Sequence, residues 1–319
     1  MTLLRGCAVG ALTAALLSTA CGRGAKTEIA VIPMGNSHLY WQSVHAGAVK
    51  AARELRVEVL WNGPPSETDF TGQLKIVDAM INRRVSAIAV APIDRQALVS
   101  VVERASRAKI PVVIFDSPID TQAFVAQIAT DNYHAGEMAA ERMGLILHGQ
   151  GNVGIVGAQP GSASSTARER GFEDTIRKNF PGIRIVEKQF GMADFALSLA
   201  KAENILTGHP DLEGMFASNE SSSVGTAQAL RERRSQIKMV GFDWSPTLLN
   251  DVQSGLIDSL IVQNPFRMGY DSVKAAVTAL RGGTVTRIQN LPPRLVTQQN
   301  LHDPDVKAQL HPDLKKYLD

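Results

Sequence analysis

From Thr27 onward, short β-rich runs alternate with stretches of helical period. The runs EIAVIP (28–33), VEVLW (57–61), AIAVAP (87–92), PVVIFD (111–116) and FVAQIATD (124–131) predict strands in the first half. NVGIVG (152–157), RIVEKQF (184–190), GMFASN (214–219), IKMVGFD (237–243) and SLIVQNP (259–265) predict strands in the second. Several are continuously apolar, as expected where helices cover both faces of a sheet. Between them, Val44, Ala48, Ala51, Ala52 and Leu55 share one helical face. A second helix is expected from the capping residues Ser164, Ser165 and Thr166 to just before Pro181-Gly182, and a third from Ser221 to Glu232. Repeated strand–helix–strand units imply open, mostly parallel sheets. Ten strands exceed one small twisted sheet, and 319 residues suggest about two domains. The expected fold class is α/β, with two doubly wound domains. Past Val296 the polar tail TQQNLHDPDVKAQLHPDLKKYLD is expected to be a surface extension packed on one domain.

Ligands of doubly wound sheets bind beyond the carboxyl ends of the strands, so the residues following each run carry the chemistry. After the first come Asn36, His38, Tyr40 and Trp41, the two rings being expected on a loop before the helix. Asp116 follows PVVIF, and Arg168 lies on the segment after NVGIVG. Asp194 and Phe195 follow RIVEKQF, Asn219 and Glu220 follow GMFAS, Asp243 and Trp244 follow IKMVGF, and Gln263 and Asn264 follow SLIV. Carboxylates, amides and a guanidinium can each bridge two adjacent hydroxyls, while aromatic planes suit the C–H faces of a sugar ring. Taken singly, each has a plainer use: Asp116 and Asp243 as helix caps, Asn219 in a turn, Phe195 in a core, Arg168 on the surface. Their common position at the strand ends is what favours a polar-ligand cleft walled by Tyr40 and Trp41.

The first residues change the cellular picture. After Arg5, an uncharged apolar run of about 14 residues ends in Ser18, Thr19 and Ala20, a length suited to a signal-peptide core and short for a membrane span. Cys21 follows at once, in a setting that resembles a bacterial lipobox, although Leu17 lies one place early. Residues 1–20 are therefore expected to be a signal peptide, and 21–26 a linker lipidated at Cys21. The other cysteine, Cys7, would leave with the signal, so disulfide, Cys-metal and cysteine-nucleophile chemistry drop out of the folded part. Net charge is +2, without a dense basic block, and the RERR cluster at Arg231–Arg234 suits a solvated helix end. No nucleic-acid partner is indicated. No cofactor or metal is expected: His38 and His45 lie seven apart with no further ligand signature, and G-x-S-x-G, H-E-x-x-H and P-loop motifs are absent.

The stretches YWQSVHAGAVKAA, PVVIFDSP, IATDN, ARERGF, HPDLEGMFASNE, VGFDWSP and IVQNPFRMG occur in an order that resembles the periplasmic sugar-binding proteins of ABC importers. The likeness is to the ribose/galactose-binding group with the type I periplasmic fold, and it covers about Glu28 to Val296. It implies two lobes joined by a three-segment hinge near Thr130-Asp131, Gln263–Pro265 and Leu291–Pro293. The lobes would be 27–130 with 265–291, and 131–264 with 292–319. It also implies a ligand set of His38, Tyr40, Trp41, Asp116, Arg168, Phe195, Asn219, Asp243 and Gln263. Arg168 retains the R-x-x-G-F context with Gly171 and Phe172. The chain departs from the ribose pattern at His38, where that pattern has Asn, at Ala91, where it also has Asn, and at Ser117, where it has Arg. The resemblance implies a monomeric lipoprotein of the periplasm or cell surface that is not an enzyme. It would capture a monosaccharide or polyol and deliver it to an ABC permease of the inner membrane. The alternatives are a ligand-presenting sensor for a membrane receptor, or a LacI-like regulator lacking its DNA-binding domain.

Overall fold

The computed structural model describes residues 26–36 and 38–318. The signal segment and Cys21 lie outside the described residues. Strands β1 (Glu28–Ile32), β2 (Glu58–Trp61), β3 (Ala87–Val90), β4 (Val112–Phe115), β5 (Ala126–Thr130) and β11 (Ile288–Leu291) form one sheet. Its order is β11-β5-β4-β3-β1-β2 and every pairing is parallel. The second sheet holds β6 (Gln150–Gly157), β7 (Gly182–Phe190), β8 (Leu212–Ala217), β9 (Lys238–Phe242), β10 (Ser259–Val262) and β12 (Arg294–Thr297), in the order β12-β10-β9-β8-β6-β7. Only the β10–β12 pairing is antiparallel. The fold is thus α/β, with two doubly wound lobes.

Continuous apolar runs feed two faces at once, because alternate side chains point to opposite sides of a strand. In β1, Ile29 and Val31 join the core under α1 (Leu39–Leu55) and α9 (Pro265–Leu280), while Ala30 and Ile32 join the core under α2 (Phe70–Arg83) and α3 (Val99–Arg107). The second lobe repeats this. Met215 and Ala217 of β8 face the core of α6 (Phe195–Gly208), α7 (Glu220–Glu232) and α8 (Pro246–Ser254). Phe216 faces that of α4 (Asn132–Ile146) and α5 (Ala163–Asn179), where it stacks on Phe172 with centroids 4.4 Å apart.

One helix pair in each lobe meets backbone to backbone. A Cβ on Gly47 of α1 would stand 1.9 Å from the Phe266 carbonyl oxygen, and one on Gly269 of α9 would stand 1.9 Å from that of Val44. In the second lobe Gly136 of α4 and Gly171 of α5 face the carbonyls of Arg168 and Tyr133 at 2.0 and 2.1 Å. Only glycine fits such approaches, and they fix where α1 and α5 present their first turns.

The chain passes between the lobes three times: after β5 into α4, after β10 into α9, and between β11 and β12. Two expectations are corrected. Tyr40 and Trp41 sit in the first turn of α1 rather than on a loop, because the helix begins at Leu39, a turn before its apolar period becomes regular. The tail also touches both lobes rather than one. Val306 and Leu310 of α10 (Pro304–Leu310) are buried in the second lobe, whereas Arg53 of α1 donates to the carbonyls of Lys316 and Tyr317, at 2.7 and 3.2 Å.

Candidate functional site

Both sheets reverse their winding once, between β1 and β3 in one lobe and between β6 and β8 in the other. The crevices above such switch points face each other here. They enclose a small cavity, whose volume open to the centres of water-sized spheres is about 40 Å³. Eight of the nine expected ligand-set residues line it: His38, Tyr40, Trp41, Asp116, Arg168, Asn219, Asp243 and Gln263. Phe195 does not line it. It begins α6 with its ring 39% exposed and edge-on to His38, centroids 5.1 Å apart.

Asp116 and Asp243 occupy equivalent places in the two lobes. Each follows a central strand in a left-handed backbone conformation, φ 63° and 62°, which aspartate tolerates better than most residues. Each backbone N–H bonds to the neighbouring strand, Asp116 to the Ile128 carbonyl at 2.9 Å and Asp243 to that of Ile261 at 2.8 Å. Neither caps a helix; that task falls to Asp131, Asp194, Asn219, Ser245 and Asn264. The Tyr40 hydroxyl donates to Asp116 Oδ1 at 2.5 Å, and Gln263 Nε2 donates to Asp243 Oδ1 at 2.9 Å. Thr130 Oγ1 donates to Gln263 Oε1 at 2.6 Å, so two of the three crossovers are tied beneath the cavity. Burial lifts Asp116 to about 6 against the opposing pull of Arg168 and the Tyr40 hydrogen bond. Burial likewise raises Asp243, again opposed by Arg168. Tyr40 is pushed far above the usual phenol value by burial and by these two carboxylates, so it remains a donor.

Arg168 is held rigidly. Its Nε donates to Asn132 Oδ1 at 2.8 Å and its Nη1 to the Ser218 carbonyl at 3.0 Å, while its guanidinium lies 3.9 Å from the centroid of the Phe242 ring. The R-x-x-G-F pattern thus has a physical division of labour. Arg168 enters the cavity, Gly171 lets α5 touch α4, and Phe172 fills the core. Trp41 and Tyr40 belong at once to the core of the first lobe and to the cavity wall, their rings edge to face at 4.9 Å.

Further lining residues lie outside the expected ligand set. Glu67, on the segment between β2 and α2, accepts from Trp41 Nε1 at 2.7 Å and pairs with His38 Nδ1 at 2.6 Å. Burial alone would depress His38, but the bond to Glu67 and the charges of Glu67, Glu220 and Asp243 override it and lift the imidazole to about 9. Glu220 accepts from the Tyr40 backbone N–H across the cleft at 3.3 Å. Burial raises Glu220 to about 7, opposed by His38 and reinforced by Asp243. Gln159 Nε2 donates to the Glu67 carbonyl at 2.8 Å, and the Ser164 N–H donates to Ser117 Oγ at 3.1 Å, both between lobes. The lobes are therefore closed on one another. Among the described residues no group of three or more His, Cys, Asp or Glu is placed to hold a metal ion.

A cavity of this kind, shut between two doubly wound lobes on a three-stranded hinge, defines a solute-binding architecture. The chain belongs to the periplasmic binding protein family, whose domain matches residues 29–284. It is 27% identical to a ribose import binding protein of Bacillus subtilis over 260 residues, 82% of this chain and 84% of that protein. It is 29% identical to a D-allose-binding periplasmic protein of Escherichia coli over 296 residues, covering 89% and 93% of the two chains. A solved carbohydrate transporter solute-binding protein of Agrobacterium radiobacter, in complex with D-arabinose, superposes with a TM-score of 0.88 at 32% identity. That match covers 90% of this chain and all of the other.

Proposed function

We propose that the chain is an exported lipoprotein, anchored through Cys21, that captures a monosaccharide or polyol between its lobes and delivers it to an ABC permease as a monomer. The lobes we assign are 27–130 with 265–291, and 131–264 with 292–319, which follows the membership of the two sheets. The observation that carries the reading is the closed cavity. Its floor and walls combine a fixed guanidinium, two opposed aspartates, two amides (Asn219 and Gln263) and the Tyr40–Trp41 pair. Each planar polar group can span two neighbouring hydroxyls, and charged hydrogen bonds shielded from water contribute roughly 1.5–3 kcal/mol apiece. A few of them reach micromolar affinity, about −8 kcal/mol. The names of relatives support the ligand class: ribose and allose for the curated proteins, D-arabinose and D-fucose for solved structures at 32% and 31% identity. Phe195, at the rim beside His38, is proposed to close over the ligand's edge.

A thermal-shift panel of pentoses, hexoses, amino sugars and polyols on the purified full-length chain tests this. A ligand at 100 times its dissociation constant adds about 2.7 kcal/mol to stability, a rise of several degrees. No shift across the panel, together with a shift from an amino acid or a nucleobase, overturns the reading.

A further inference from the structure

Four carboxylates line the cleft, Glu67, Asp116, Glu220 and Asp243, against two possible cations, Arg168 and His38. His38 is committed to Glu67 at 2.6 Å. Arg168 gives Nε and Nη1 to an amide and a carbonyl oxygen, and among the described residues it forms no ion pair within 4.0 Å. Of the three remaining carboxylates, Asp116 has a hydroxyl donor and Asp243 an amide donor. Glu220 is the least satisfied. It is 5% exposed, its Oε2 has a single backbone N–H at 3.3 Å, and its Oε1 has no donor among the described residues. The one cation acting on it, His38, is bonded to Glu67 instead, and burial still raises Glu220, so a carboxylate so placed stays costly to ionise.

We propose that the ligand carries a basic nitrogen, as an amino sugar or an aminated polyol, with its ammonium seated against Glu220 and Asp243 beside it. The inference rests on the sugar or polyol reading above and narrows it. The ring or chain hydroxyls meet Arg168, Asp116 and Asn219, while the ammonium supplies the charge that the cleft lacks. A neutral sugar offers hydroxyl donors to Glu220 but no charge, so the cleft must take up protons to hold it. An ammonium instead displaces protons already on Glu220 and Asp116, whose values of about 7 and about 6 leave them partly protonated near neutrality.

The test is calorimetric titration of the full-length protein at pH 6.5 with matched pairs: glucosamine and glucose, galactosamine and galactose, an aminated polyol and its parent. The amine of at least one pair is expected to bind ~10–100-fold more tightly than its hydroxyl counterpart. Glu220→Gln is expected to shrink that gap to about threefold or less. If that variant fails to fold, titrating the wild type in two buffers of different ionisation heat reads the same claim, with proton release expected on binding the amine. Neutral members that bind as tightly as their amines overturn the inference and leave the sugar reading standing. Absence of binding by every member of every pair, with a neutral sugar of the thermal-shift panel binding, overturns the inference alone; the same absence with no sugar of that panel binding and an amino acid or nucleobase binding overturns both.

Discussion

At the scale of single residues, the site is a set of side chains whose burial was prepared before any ligand arrives. Asp243 shows the arrangement most plainly. It sits in a left-handed turn after β9, keeps one oxygen on Gln263, and is kept from its usual acidity by burial. Removing it takes away one of the two buried carboxylates on which the charge of Arg168 acts. Asp243→Ala is expected to weaken ligand binding by roughly 2–5 kcal/mol, about 30- to several-thousand-fold, in isothermal titration. Wild-type affinity would mean that Asp243 only holds the hinge glutamine. Most lining residues were legible because the chemistry of a doubly wound sheet gathers at strand ends: Asp116, Asp243 and Gln263 follow strands directly, Asn219 stands two residues on, and His38 lies on the segment after β1. Glu67 was not, since its run, SETDF, reads as helix-capping sequence. Glu220 was read as a strand-end group but left out of the expected ligand set, because an acid in the first turn of α7 is what any helix N-terminus favours. Its contact with Tyr40 exists only across the cleft, and no local pattern reports such a contact.

At the scale of elements, the glycine contacts between α4 and α5 decide where Arg168 stands. A methyl at Gly171 would meet the Tyr133 carbonyl at 2.1 Å, and a backbone oxygen inside a helix cannot rotate away. Gly171→Ala is expected to force the helices apart at about 1–3 kcal/mol. This should appear as a melting temperature lower by several degrees, accompanied by weaker ligand binding because Arg168 lies one turn away. An unchanged melting temperature would show that α4 and α5 are not in close contact. The ten principal strands were readable, their observed bounds falling within three residues of the expected runs at each end, because the central runs such as β1, β3, β4 and β10 are buried on both faces and rich in β-branched residues. Two of the four edge strands, β11 and β12, were not. IQNL of β11 is exposed at Ile288 and Asn290, and RLVT of β12 is only half-buried over Arg294 and Leu295. Short runs this polar and exposed carry too little alternation to stand out. The start of α1 was missed for a related reason. His38 caps it without a side-chain bond, so the usual signature of a helix start is lacking, and its orphan N–H at Tyr40 is satisfied by Glu220 from the other lobe.

At the scale of the whole molecule, closure itself is a titratable event. Two helix starts face the cleft, and each is capped from the opposite lobe: α1 by Glu220, α5 by Ser117. Shutting the lobes makes these caps and at the same time strips water from Glu220, Asp116 and Asp243. Their raised values are thus properties of the closed form, while an open, hydrated cleft returns them toward 4.5 and 3.8. A carboxyl raised on closure favours the closed form fully below its open-state value, and that preference is lost as pH rises through its closed-state value. For Asp116 and Glu220 the loss runs through about 6 and about 7. His38 has the same sign, but its contribution persists until pH nears 9, so it changes little in this window. Glu67, bonded to His38, and Arg168 also face the cleft. Without ligand, the lobes are therefore expected to open as pH is raised from about 5.5 to 8. Small-angle scattering reads this as a rising radius of gyration, and Glu220→Gln should remove the upper part of the rise. Saturating ligand should hold the radius low across the whole range, because its own groups then satisfy the carboxylates that closure buries. A radius independent of pH in the free protein would show that the acids do not oppose closure. The cross-lobe caps and the hinge bonds of Thr130 and Gln263 would then suffice to keep the cleft shut.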